Sequence, residues 1–191
     1  MKMKKWMGAC LMASMVLTQS PVSVLANEFE VVNESEVSQT TNSIQQAIDK
    51  AKDGDTIQIQ GEQTASISIP DSKKLTLQFA KGARLTNEAG KDTITIEKGA
   101  TVTITGEGTI QNTSHAKAAL INNGTVVLDG GIKLDRPNDH DQNGSVARNS
   151  WYTVVNYGTM TVNHATITNA GDFSSCITNG WYSPNEAADK K

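Results

Sequence analysis

Cysteine is nearly absent from this chain. Only Cys10 and Cys176 occur among its 191 residues, and Cys10 falls in a stretch that reads as a removable leader. With Cys176 alone remaining, no internal disulfide can form, and packing must hold the domain even where export would permit disulfides. Cys176 stands before Ile177 in a strand-like position and reads as a small buried residue, since cysteine packs as a small hydrophobe. Basic charge is also short. The chain has 17 Lys and Arg against 20 Asp and Glu, and taking away the leader's Lys2, Lys4 and Lys5 leaves 14 against 20, a net −6. That excludes nucleic acid and anionic membranes as partners, because both call for basic patches. His115, His140 and His164 have no metal-ligand spacing. The sequence also has no phosphate loop, nucleophile elbow or coiled-coil heptad. Aromatic residues make up 5% and are sparse before Trp151.

The leader is residues 1–26. Its three lysines precede Trp6 to Leu17, which is mostly apolar but far shorter than the ~20 residues that span a bilayer. A polar stretch then ends Val24-Leu25-Ala26, and cleavage is expected after Ala26. Residues 27–42 read as a linker or an edge strand, and residues 43–191 as the domain.

What the domain has in quantity is one repeated phrase. Ile121-Asn122-Asn123-Gly124-Thr125-Val126-Val127-Leu128 is echoed by Val155-Asn156-Tyr157-Gly158-Thr159-Met160-Thr161-Val162. Looser copies centre on Gly82, Gly99 and Gly180. A fixed motif at variable spacing marks a coiled repeat whose loops differ in length. Around it run short alternating segments such as Thr56-Ile57-Gln58-Ile59, Thr93-Ile94-Thr95-Ile96 and Thr101-Val102-Thr103-Ile104. Period two with threonine on the other face predicts half-buried strands. Helical spacing occurs once: Ile44, Ala47, Ile48 and Ala51 share one face, with a capping-box pair in Ser43 and Gln46 and Gly54 past the end. No second helix is available as a crossover for an ordinary parallel α/β sheet.

Stacking the copies gives three interior columns. One holds Phe79, Ile96, Ile121, Val155 and Ile177. A second holds Val102 and Ile104, Val126 and Leu128, and Met160 and Val162. A third holds Ile110, Leu134 and Ile167. The expected fold is all-β, a parallel β-helix about 30 Å long at the usual strand separation, with the short helix as its N-terminal cap. The chain stops at Lys191 just after the fifth copy opens, which suggests the front part of a longer protein.

Ile44-Gln45-Gln46-Ala47-Ile48 followed by Asp53-Gly54-Asp55-Thr56-Ile57 resembles the entry to right-handed parallel β-helices of the pectate lyase-like superfamily. The Asn-Asn-Gly-Thr and Asn-Tyr-Gly-Thr rungs look like those of β-helical surface proteins of Gram-positive bacteria. The resemblance covers about residues 42–183. It implies the fold rather than an activity, because this fold carries lyases, hydrolases, adhesins and structural rods alike. The paired aspartates and Gly-His-Gly segment of the superfamily's hydrolases are missing. For a lyase, Asp135, Asp139 and Asp141 beside Arg136 or Arg148 offer the materials, though not from stacked rungs.

Two insertions interrupt the rungs, Gln111–Ala118 and Asp135–Ser150. In the second, Asp139, Asp141 and Asn143 alternate and are followed by Gly144, the first half of a calcium loop. The glutamate that completes such a loop is absent; Asp135 could complete the shell, and the alternative is a solvated turn. Trp151-Tyr152 and Trp181-Tyr182 flank the last repeats and could stack on sugars, or pack loops against the wall. The function these observations suggest is a secreted cell-surface module for structural display or adhesion, contacting a polysaccharide or host glycan. The alternatives are a polysaccharide lyase or glycoside hydrolase acting on an acidic polysaccharide, and a bare spacer rod.

Overall fold

The computed structural model describes residues 29–32, 39–41, 43–137, 151–171 and 175–180, with side chains from residue 43 onward. Five coils of three short strands follow one another. The first has β1 (Phe29–Val32), β2 (Gln39–Thr41) and α1 (Ile44–Lys50) before it. It comprises β3 (Thr56–Ile59), β4 (Glu62–Thr64) and β5 (Ile67–Ile69). The second comprises β6 (Lys74–Phe79), β7 (Arg84–Thr86) and β8 (Ile94–Ile96). The third comprises β9 (Thr101–Gly106), β10 (Thr109–Gln111) and β11 (Leu120–Asn122). The fourth comprises β12 (Thr125–Leu128), β13 (Ile132–Arg136) and β14 (Val154–Asn156). The fifth comprises β15 (Thr159–Val162), β16 (Ala165–Asn169) and β17 (Ile177–Asn179).

Each coil gives one strand to each of three parallel sheets: β15-β12-β9-β6-β3, β16-β13-β10-β7-β4 and β17-β14-β11-β8-β5. The architecture is a parallel β-helix. Alternation explains it directly. Successive side chains on a strand point to opposite faces, so an apolar residue at every second place puts one row inward. Ile57, Leu77, Ile104 and Leu128 stack in register in the first sheet, and all four are fully buried. Leu85, Ile110, Leu134 and Ile167 form the row of the second sheet. Each such side chain contributes roughly 1.5–3 kcal/mol when buried, and only the coil above and the coil below can bury it.

Two of the expected columns stand as read, and the one beginning with Phe79 needs correction. In the third sheet Ile94, Leu120, Val154 and Ile177 stack, and Ile96 stacks on Asn122, Asn156 and Asn179. Ile121 pairs with Thr95 instead and is half-buried. Phe79 belongs to the first sheet, in register with Ile59 and Gly106. The cause is the turn after each third-sheet strand. Two residues separate Ile96 from Gly99, one separates Asn122 from Gly124, and none separates Asn179 from Gly180. Aligning on glycine therefore slips the strands by one, which exchanges the faces.

The first end of the coil is sealed in three ways. Ile44, Ala47, Ile48 and Ala51 of α1 join the core. Strand β1 pairs antiparallel with the edge of β3, and β2 pairs with β1. The Gln45 amide then covers the edge of β5, donating to the Ser68 carbonyl and accepting from the Ser68 N–H, both at 2.9 Å. The capping box expected at Ser43 and Gln46 does not form as such. Ser43 is the N-cap residue without a side-chain cap bond, and Gln46 is exposed. At the other terminus of α1 the Lys73 ammonium donates to the carbonyls of Asp49 and Ala51, a cation where the helix dipole favours one.

Candidate functional site

The connections differ sharply by corner. From the first to the second sheet they take two to four residues, and from the third back to the first two to four. From the second to the third sheet they are longer in every coil after the first: 87–93, 112–119, 137–153 and 170–176. All the long connections therefore leave and rejoin the strands at one corner of the coil, where loops carried on a rigid scaffold place functional groups.

The loops of the second and third coils are fixed from within. Asn112 is 1% exposed, and its amide donates to the carbonyls of Lys91 at 3.0 Å and Ala118 at 2.8 Å, and to the Thr93 hydroxyl at 3.1 Å. Asn87 donates to the Ser114 hydroxyl at 2.7 Å and accepts from the Thr113 N–H at 2.9 Å. Buried Arg136 donates from Nη2 to the Ser114 carbonyl at 3.0 Å. Buried polar side chains bonded to one another and to the backbone in a low-dielectric interior rigidify what they join. The sequence marks Gln111–Ala118 as an insertion, and the buried role of Asn87, Asn112 and Ser114 has no signal in hydrophobic periodicity.

Beside this network a cleft of about 330 Å³ opens between α1, β5, β8 and the two loops. Gln45, Ser68, Lys91, Asp92, Thr95 and Lys117 line it. The carboxylate of Asp92 accepts from the Ala118 N–H at 2.7 Å, and its other oxygen stands 3.9 Å from the Lys117 ammonium.

The residues singled out in the sequence fall as follows. Trp151 and Tyr152 lie on the long-loop edge just before β14, half-buried, with ring centroids 6.1 Å apart at 53°. The Asn169 amide donates to the Trp151 carbonyl at 2.9 Å. Asp135 sits on the outer face of β13, bonded to the Lys133 ammonium at 3.2 Å and to the Thr168 hydroxyl. Asp139, Asp141, Asn143, Trp181 and Tyr182 lie outside the described residues. Among the described residues, no three His, Cys, Asp or Glu come together as a metal cluster, and no helix is long and apolar enough to cross a membrane. Cys176 is half-buried rather than buried, because it precedes the strand instead of lying in its inward row.

In comparison with known proteins, the chain matches no family model, no curated protein and no solved structure.

Proposed function

We propose that the chain is a secreted cell-surface β-solenoid module for display or adhesion that contacts glycans along its long-loop edge. The resemblance of its rungs to right-handed β-helical surface proteins of Gram-positive bacteria supports the setting. The observation that carries the reading is that every long connection joins the strands at one corner of the coil, while the strands hold register on either side. That corner collects the Trp151–Tyr152 pair and a polar cleft, the mix of flat and hydrogen-bonding surface that orients a sugar. The outer face of the first sheet adds Thr101, Thr125 and Thr159 in register, a polar wall suited to a rod standing in water.

The test is binding of the full chain to an immobilised glycan panel, run beside an assay for eliminative or hydrolytic cleavage of acidic polysaccharides. Saturable binding without product release is expected. Release of shortened or unsaturated oligosaccharides would replace this reading with the enzymatic one, and the Lys133–Asp135 pair on β13 would then be the first place to mutate.

A further inference from the structure

We infer that the cleft between α1 and the 87–93 and 112–119 loops binds a single neutral pyranose through a vicinal pair of its hydroxyls. The inference rests on the glycan-contacting reading and names a site and a ligand class within it.

The cleft is built before any ligand arrives. Asn112 ties together the two backbone carbonyls, of Lys91 and of Ala118, that adjoin the charged residues of the cleft. The Ala118 N–H orients the Asp92 carboxylate. Gln45 locks Ser68 from the opposite side. Ala116, next to Lys117, holds a left-handed φ of 53°, a conformation that a non-glycine residue keeps only where its surroundings enforce it. Fixed walls lower the ordering cost of binding.

The chemistry of the walls selects the ligand. Asp92 and Lys117 face each other at 3.9 Å, farther than a hydrogen bond reaches. Two adjacent hydroxyls of a sugar ring fit such an arrangement, one donating to the carboxylate and its neighbour accepting from the ammonium. Ser68 and Thr95, paired across β5 and β8, add hydroxyls on the cleft floor. The local charge argues for a neutral sugar. Lys91 and Lys117 are outnumbered by Glu88, Asp92 and Glu97, of which Glu88 pairs with Lys91 at 2.5 Å and Glu97 accepts from Ser68 at 3.2 Å. A sugar carboxylate would stand beside the Asp92 carboxylate and compete with Glu88 for Lys91, whereas a neutral ring carries no charge to repel.

The experiment is a titration of the full, isotopically labelled chain followed by amide chemical shifts. The probes are the methyl glycosides of glucose, galactose and N-acetylglucosamine, with galacturonate as the acidic comparison. Saturable shifts at Ser68, Asp92, Thr95 and Lys117 are expected with at least one neutral probe. Asp92→Asn and Lys117→Met should each weaken that binding tenfold or more, and Lys81→Ala, on the exposed turn between the first and second sheets, should leave it within twofold. Asp92→Asn keeps an oxygen for the Ala118 N–H, and unchanged shift dispersion in both variants would show that the fold is intact. Tighter binding of galacturonate, or equal binding by both cleft variants, overturns the inference. Glycan-panel binding with no shift in the cleft overturns it too, while leaving the wider reading in place. Absence of binding to every glycan removes both.

Discussion

Asn122 donates from Nδ2 to the Oδ1 of Asn156 at 2.6 Å, and Asn156 donates in the same sense to Asn179 at 2.9 Å. The three residues stack in one register row in the third sheet, directly beyond Ile69 and Ile96. The row that begins as isoleucine thus continues as amide. Each amide also serves its own turn: Asn122 accepts from the Gly124 N–H at 3.1 Å, and Asn156 donates to the Gly158 carbonyl at 3.2 Å.

Removing the middle amide should therefore cost more than one hydrogen bond. Asn156→Ala leaves one N–H of buried Asn122 without this partner, at about 1–3 kcal/mol for a buried unsatisfied group, while exposed Asn179 can turn to water. Thermal unfolding should shift down by about 2–4 °C for each kcal/mol lost in a domain of this size. An unchanged midpoint would show that the ladder is decorative.

Gly158 and Gly82 should respond differently to alanine. A Cβ on Gly158 would land on the carbonyl of Gly124 in the coil before it, whereas one on Gly82 would meet nothing within 4 Å. Gly82 has a φ of 77°, so its replacement costs the left-handed strain of about 1–2 kcal/mol. Gly158→Ala must push two coils apart and should destabilise by more than Gly82→Ala. Chemical denaturation of the pair compares them, and a larger loss at Gly82 would contradict the packing described here.

Gln45→Ala should open the edge of β5 without unfolding the core. The Ser68 N–H then loses its Gln45 acceptor, and its hydrogen exchange should accelerate by an order of magnitude or more. Amides of β12 and β13 should be unaffected. Uniform acceleration would mean that the glutamine supports the whole domain rather than one edge.

Leu77→Ala removes a fully buried side chain from the middle of a stacked row and should cost about 2–5 kcal/mol. Val162→Ala, in the same row but 43% exposed, should cost less than about 1 kcal/mol. Equal losses would be incompatible with the difference in their burial.

Much of this fold was legible in alternation. Ile57 and Ile59, or Val102 and Ile104, announce a strand with one wet face, and Ile44, Ala47, Ile48 and Ala51 announce α1. The rows through Leu128 and Leu134 were also readable, because their apolar residues recur. Misplacement occurred where a polar residue takes an apolar position. Asn122 and Asn156 satisfy each other across coils, so they sit inside, and a pattern of hydrophobic residues cannot reveal that. The cleft was invisible for a related reason. Gln45, Asp92 and Lys117 are distant in sequence, and each alone resembles an ordinary surface residue. Their meeting depends on coil lengths of 20, 27 and 24 residues, fixed by the pairs Thr56–Thr76, Thr76–Thr103 and Thr103–Val127.

Apart from β3, which also pairs with β1, every parallel strand pairs only with its counterparts in the adjacent coils. Ile57, Leu77, Ile104 and Leu128 are each fully enclosed by the coils and cap on either side. Opening free energy is therefore a profile along the axis rather than one value for the whole molecule. Pulled or warmed, the described coils should open unit by unit, the loss of one coil uncovering the inward rows of its two neighbours before any others.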